Sequence, residues 1–329
     1  MILSIIVPVY NVEKYLERCI DSLIDQDLDV EDYEIIMVND GSIDDSQKIA
    51  ERLVDKYSNV SLYYQENRGL SGARNTGMRH AKGNYFLFVD SDDYLEKNCL
   101  KHLIDVSLEN NLDICHFSLI SVRDWGTFRG KIGSLKYNTL YSGTDILREG
   151  RLIGSACSNL YRSAFLYAND LFFHEGITHE DVEFTTRLFC HRPRVMLVND
   201  TVYYYFYNSE SLSKDKKNYE KENKYVCDSA IIARLAKDYV SLYIDDVEVK
   251  DLIERRVNSS IVGNLVGLLR SPSCPIHIVQ NLLQAYSDNK LYPVMGKCLD
   301  WKARLIGIAL GNSKFYLKLY ASRQRKYGS

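Results

Sequence analysis

Tyr85-Phe86-Leu87-Phe88-Val89 runs straight into Asp90-Ser91-Asp92-Asp93-Tyr94, and this stretch decides how the chain is read. Five apolar residues with ring and β-branched side chains are too few for a helix and suit a buried strand. The strand therefore ends in three carboxylates. Were it to continue through Asp92, its two-residue period would turn Asp90 and Asp92 toward one site. Carboxylates so placed repel one another unless a cation lies between them. Mg2+ or Mn2+, which take oxygen ligands and accept substrate phosphates to complete their shells, would relieve that repulsion. The competing interpretation is an acidic turn, because Asp and Ser are favoured turn residues.

Upstream, strands and helices alternate. The apolar run to Val7 is followed by Pro8-Val9-Tyr10-Asn11 and then by Tyr15, Leu16, Cys19, Ile20, Leu23 and Ile24 at helical spacing. Glu34-Ile35-Ile36-Met37-Val38 leads into Asn39-Asp40-Gly41-Ser42 and a helix carrying Ile49, Leu53 and Tyr57. A third strand, Val60 to Tyr64, precedes a glycine-punctuated segment that opens a short helix. Downstream, Leu100, Leu103, Ile104 and Leu108 mark a helix, and Asp113 to Ile120 a strand. Such repetition predicts an α/β fold with a largely parallel sheet and a site at the carboxyl ends of its strands. The loops at Pro8–Asn11, Asp40–Ser42 and Asp90–Asp93 then share one edge. Each has a bland explanation as well: Asn39 to Ser42 is also the chemistry of a tight turn and helix cap.

Composition narrows the partners. A formal net charge of -3 gives no electrostatic case for nucleic acid. Eight cysteines, none in a C-x-x-C pair, suit reduced thiols in a cytoplasm. The N-terminus lacks a basic region before its short apolar run and suits a first strand rather than a signal peptide, and nowhere do 18 apolar residues run together. The loop after the first strand holds no glycine, which argues against a nicotinamide-binding Rossmann protein, and the chain has no Walker A sequence.

Four of these segments, taken in order, resemble the motifs of glycosyltransferase family 2. They are Ser4-Ile5-Ile6-Val7-Pro8-Val9-Tyr10-Asn11, Val38-Asn39-Asp40-Gly41-Ser42, Asn67-Arg68-Gly69-Leu70-Ser71-Gly72-Ala73-Arg74-Asn75-Thr76-Gly77 and Asp90-Ser91-Asp92-Asp93. The resemblance implies a GT-A fold, a nucleotide-sugar donor, with UDP favoured, a divalent metal and inversion at the anomeric carbon. By similarity, Pro8, Tyr10 and Asn11 would border base and ribose, Asp40 would accept from the base, and Gly72 and Arg74 would line the nucleotide pocket. Asp90 and Asp92 match the D-x-D motif, with the metal on Asp92 and Asp90 reaching the ribose or a metal-bound water.

The family's Glu-Asp motif resembles Glu180-Asp181, within Phe172 to Phe184. It implies Asp181 as the general base that takes the acceptor proton, with Glu180 as its alternative. Thr178 to Asp181 also fits a helix capping box, and His174 and His179 are candidate metal ligands of lower rank. Elsewhere the chain departs from the family. Cys157-Ser158-Asn159-Leu160-Tyr161 stands where relatives commonly carry Trp-Asn-Lys-Leu-Tyr, and Phe206 replaces an arginine in Tyr203-Tyr204-Tyr205-Phe206-Tyr207, ahead of Ser211-Leu212-Ser213.

The lysine-rich stretch from Lys214 to Asn223 predicts a boundary between a catalytic domain, 1–215, and a helical region, 216–329. From Trp301 onward seven basic residues occur with no acid. Beside Leu305, Ile306, Ile308 and Phe315 they suit a membrane-surface or partner-binding helix, or one packed on the catalytic domain. The expectation is a cytoplasmic, metal-dependent transferase, with a homodimer and peripheral contact at the inner face of the membrane as further candidates. It would act on a glycan or lipid-linked acceptor in surface polysaccharide synthesis. The alternatives are a sugar nucleotidyltransferase, whose glycine-rich basic loop is absent, and a nonenzymatic scaffold.

Overall fold

A computed structural model describes residues 1–123, 126–129, 134–149, 154–206, 219–270 and 274–327. The chain divides into two compact units, Met1–Gly176 with His191–Ser211 and Ile177–Cys190 with Leu212–Ser329. The expected boundary near residue 215 lies outside the described residues, as do Tyr207 and Ser211 to Ser213.

The first unit begins with β1 (Leu3–Val9), α1 (Leu16–Ile24), β2 (Tyr33–Asn39), α2 (Ser46–Lys56), β3 (Val60–Tyr64), α3 (Gly69–His80) and β4 (Tyr85–Phe88). It continues through β5 (Tyr94–Leu95), α4 (Leu100–Glu109), β6 (Ile114–Arg123), β7 (Gly126–Arg129), β8 (Leu140–Ser142), α5 (Gly143–Arg148), β9 (Asn159–Arg162) and α6 (Ser163–Ala168). After α7 (Glu180–Cys190), which belongs to the second unit, β10 (Arg194–Phe206) completes the sheet.

Among the described residues ten strands form one sheet in the order β3-β2-β1-β4-β9-β6-β10-β5, with β7 beside β6 and β8 beside β10. The pairs β1–β2, β1–β4, β2–β3 and β6–β10 are parallel. β9 runs antiparallel to both neighbours. The sheet is thus mostly parallel, and helices on its faces explain why β1 and β4 are buried along their whole length. Because β1, β2 and β4 are adjacent and parallel, the loops after them emerge along one edge.

Among its described residues, the regular secondary structure of the second unit is all helical. It holds α7 and then α8 (Tyr219–Tyr243), α9 (Val247–Arg270), α10 (Ile276–Asp288), α11 (Trp301–Ala309) and α12 (Ser313–Tyr327). Val249, Ile253, Val257, Ile261 and Leu265 of α9, at helical spacing, are buried. Three buried tyrosines fasten this core through their hydroxyls. Tyr316 donates to the Leu265 carbonyl at 2.8 Å, Tyr320 donates to the Cys274 carbonyl at 2.6 Å, and Tyr286 accepts from Asn264 at 3.0 Å. The basic tail is two helices rather than one, because α12 restarts after Gly311-Asn312, where the Asn312 side chain accepts from the Phe315 amide at 3.0 Å. Among the described residues no helix is long and apolar enough to cross a membrane.

Close approach of α3 to β1 sets the geometry of the sheet edge. A Cβ on Gly77 would lie 2.4 Å from Ile6 Cγ2, and Ile6 is itself fully buried. Gly77→Ala should therefore cost about 1–3 kcal/mol through overpacking, measured by urea unfolding. An unchanged midpoint would mean that α3 can move away freely.

Candidate active site

β4 ends at Phe88, and the next residues do not continue it. The Asp93 amide donates to the Asp90 carbonyl at 3.0 Å, which closes Asp90 to Asp93 into a turn. The alternation that would have aligned Asp90 with Asp92 does not apply, because turn formation by Asp and Ser wins over strand extension. Asp90 and Asp92 remain partly exposed, whereas Asp93 is fully buried.

Burying Asp93 gives the turn its anchor. Its Oδ2 accepts from the Tyr203 hydroxyl at 2.6 Å, and its Oδ1 accepts from the Phe206 amide at 2.7 Å. Tyr203 in turn accepts from the Asp90 amide at 3.1 Å. Desolvation, with the charges of Asp90 and Asp92 beside it, pushes the Asp93 carboxyl up to about 8. The same field and burial push the Cys19 thiol well up.

Two arginines brace this acidity. Arg74, buried in α3, places a guanidinium nitrogen 2.8 Å from Asp90 Oδ1 and lies 5.1 Å from the centroid of the Phe173 ring. It acts on the edge through Asp90. Arg18 of α1 donates to the Asp92 carbonyl at 2.6 Å, with its guanidinium 4.4 Å from the Phe206 ring centroid and 4.8 Å from that of Tyr94. Phe206 thus supports a cation delivered from α1.

A second network surrounds Asp40, which is buried. Its Oδ1 accepts from Gln65 Nε2 at 2.6 Å and from the Arg68 amide at 2.8 Å. Gln65 also accepts from the Thr76 hydroxyl at 2.5 Å. Arg68 forms a two-pronged contact with Glu175, at 2.6 and 3.2 Å. Asn75 exchanges two hydrogen bonds with the Phe173 backbone, at 2.8 and 2.9 Å. Gly72 makes this packing possible, since a Cβ there would meet Arg68 Cβ at 2.5 Å and Gln65 Nε2 at 3.3 Å.

Pro8 pairs in register with Val38, and the Asp40 amide donates to the Val9 carbonyl at 2.9 Å. Asn11 holds the left-handed φ of 52° that asparagine tolerates. Its side chain accepts from the Ile43 amide at 2.9 Å and its amide donates to Ser42 Oγ at 3.1 Å, so the loops after β1 and β2 are tied together. Tyr10 stays partly open to solvent. Pro8, Tyr10, Asn11, Asp40, Gly72, Arg74, Asp90 and Asp92 therefore share one edge of the first unit. Arg68, Asp93, Glu175 and Tyr203 lie inside segments quoted from the sequence but had no role assigned there, and Gln65 and Arg18 lie in none of them.

Asp181 and Glu180 lie in the second unit, in the first turn of α7, both partly exposed. Asp181 Oδ1 accepts from the Val182 amide at 2.8 Å. The capping box expected from Thr178 is not formed. Its amide and hydroxyl instead donate to Asp228 Oδ2 at 2.7 and 3.0 Å, a carboxylate that also receives Lys224 at 2.7 Å and outcompetes the local partner. His174 is held by its neighbour's carbonyl, and the His179 ring packs 4.1 Å from that of Tyr225. Among the described residues no three His, Cys, Asp or Glu side chains are grouped to hold a metal by themselves.

Residues 4–167 match the family model described as glycosyl transferase family 2. The uncharacterized glycosyltransferase EpsJ of Bacillus subtilis (strain 168) is 37% identical over 219 residues, 65% of this chain and 63% of that protein. The uncharacterized glycosyltransferase YibD of Escherichia coli (strain K12) is 30% identical over 248 residues, 72% of each. TarS of Staphylococcus aureus (strain Mu50 / ATCC 700699), a poly(ribitol-phosphate) beta-N-acetylglucosaminyltransferase, is 33% identical over 205 residues, 61% of this chain and 35% of that protein. The crystal structure of S. aureus TarS superposes with a TM-score of 0.68 at 23% identity, covering all of this chain and 54% of that one. Its 1–349 fragment in complex with UDP-GlcNAc gives 0.60 at 21%, covering 99% and 92%. This chain thus spans less than two thirds of EpsJ and of full TarS, and the structural likeness is one of fold, GT-A.

Arg18→Ala removes three ring contacts, with Tyr15, Tyr94 and Phe206, and a charged hydrogen bond from the acidic turn. Stability should fall by about 1 kcal/mol, the scale of an exposed cation–π contact, and Arg18→Lys should recover part of it. Equal urea midpoints for all three proteins would show that the turn does not depend on the cage.

Proposed function

The chain belongs to glycosyl transferase family 2, and from that premise we propose that it is an inverting transferase. It moves a sugar from a nucleoside-diphosphate sugar, UDP-linked by preference, to a glycan or lipid-linked acceptor in surface polysaccharide synthesis in the cytoplasm. The observation that carries this proposal is the meeting of the Asp40 network and the Asp90–Asp93 turn along one sheet edge. TarS, named for a poly(ribitol-phosphate) substrate and solved with UDP-GlcNAc, supports a UDP-sugar and a surface polymer for this chain.

Each side chain then has a task. Asp40, with Oδ1 committed to Gln65 and Arg68, offers Oδ2 to a base N–H. Pro8, Tyr10 and Asn11 border base and ribose, and Gly72 shapes the nucleotide pocket by letting Arg68 and Gln65 pack close beside Asp40. Arg74 fixes the rotamer of Asp90. Asp90 and Asp92 fit Mg2+ or Mn2+, because two partly exposed hard-oxygen donors leave room for phosphate and water in the shell. When bound, such an ion stabilises charge on the departing nucleoside diphosphate. Asp181 takes the acceptor proton as the new bond to the anomeric carbon forms and the sugar–phosphate bond breaks, its electron pair leaving on phosphate oxygen.

Two measurements test the assignment. Asp92→Ala should abolish the Mn2+-dependent part of UDP binding by calorimetry while leaving the unfolding midpoint unchanged. Unaltered metal-dependent affinity would remove Asp92 as a ligand. Asp181→Asn should lower transfer by roughly 100-fold or more with donor affinity unchanged. Full activity in Asp181→Asn together with loss in Glu180→Gln would move the base to Glu180.

A further inference from the structure

We propose that α11 is a docking surface for an anionic lipid bilayer. Its inward face is made of Ala303, Gly307 and Leu310, which are buried or partly buried. Gly307 packs so closely that a Cβ would lie 3.0 Å from Val262 Cγ2 of α9 and 3.6 Å from Val294 Cβ in the segment before α11. The packing side of the helix is therefore already taken by Ala303, Gly307 and Leu310.

The opposite side carries the large ones. Trp301, Leu305 and Ile308, at i, i+4 and i+7, form one stripe along the helix and are 66%, 56% and 53% exposed. Lys302 flanks the stripe on one side and Arg304 on the other, both exposed, with Lys302 Nζ 5.8 Å from the Trp301 ring centroid. The nearest acid in sequence, Asp300, uses its carboxylate to cap the helix, accepting from the Ala303 amide at 2.8 Å. Phe315, 52% exposed, lies in the first turn of the next helix. Further along α12, Lys318, Ser322, Arg325 and Lys326 line a cleft of about 410 Å³.

Charge selects the occupant. From Trp301 to the end of the sequence there are seven cations and no carboxylate side chain. A second copy pressed stripe to stripe would bring Lys302 and Arg304 against their own equivalents, and like charges directly opposed disfavour that contact. A bilayer carrying anionic headgroups meets both needs at once: its acyl boundary receives the Trp, Leu and Ile, and its headgroups receive the flanking cations. An aromatic residue at the helix start, with a lysine beside it, suits the headgroup level.

The test uses the full chain with Trp125→Phe, which leaves Trp301 as its reporter. With vesicles of phosphatidylcholine and phosphatidylglycerol in equal parts, the protein should float, Trp301 emission should shift to the blue, and brominated lipid should quench it. Pure phosphatidylcholine should give little of either signal, and raised salt should weaken both. Leu305→Ser/Ile308→Ser should abolish the shift while leaving the unfolding midpoint unchanged, because both side chains are exposed. Lys302→Gln/Arg304→Gln should weaken binding roughly five-fold per cation removed. Flotation of the Leu305→Ser/Ile308→Ser protein at the original level would overturn the proposal. So would absence of flotation on mixed vesicles, including the case where sedimentation shows a dimer that this double variant dissolves. No sugar donor enters the assay, so its outcome is separate from that of the transferase tests.

Discussion

A carboxyl group buried beneath two others is the constraint around which this edge of the sheet is arranged. Asp93 leaves water only because Tyr203 and the Phe206 amide satisfy both of its oxygens. Those partners come from β10, more than a hundred residues further along, so closing the turn requires the sheet to be complete. Once closed, the turn presents Asp90 and Asp92 outward and draws cations toward it. Arg74 answers from α3 and Arg18 from α1.

The same logic of polar groups needing partners stitches the rest of the edge together. Asp40 is held by a side chain and an amide from the segment after β3, and that segment is held by Thr76 and Glu175. Asn11 closes the loop after β1 onto the loop after β2. Little of this depends on apolar burial. It depends on helices approaching closely enough for short side chains to reach, which Gly72 and Gly77 permit. The candidate site is thereby carried on rigid elements, which hold its side chains in fixed positions.

The helical unit solves a different problem. Its core is apolar, yet each of its largest buried residues, Tyr286, Tyr316 and Tyr320, ends in a hydroxyl that finds a partner. With the interior satisfied in this way, the exposed Trp301, Leu305 and Ile308 are not the unfinished margin of that core. They form a separate surface with its own flanking charge.

Local sequence was sufficient for the alternation of β1 to β4 with their helices, because buried parallel strands must be continuously apolar and amphipathic helices must repeat every three to four residues. It was sufficient also for the loops at Asn11, Asp40 and Asp90, since parallel neighbours put their carboxyl ends on one edge. Tertiary structure alone decided that Asp90 to Asp93 is a turn, that Asp93 is buried, and that Thr178 turns to Asp228 instead of capping α7. It alone gave Gln65, Arg68, Glu175 and Arg18 their partners, and it alone turned the basic tail into two helices with a solvent-facing apolar stripe. Each of these is a choice between a local hydrogen-bonding partner and a distant one, or between an inward and an outward helix face. Spacing along the chain says which groups need partners, but only the packed fold says which partner lies within 3 Å.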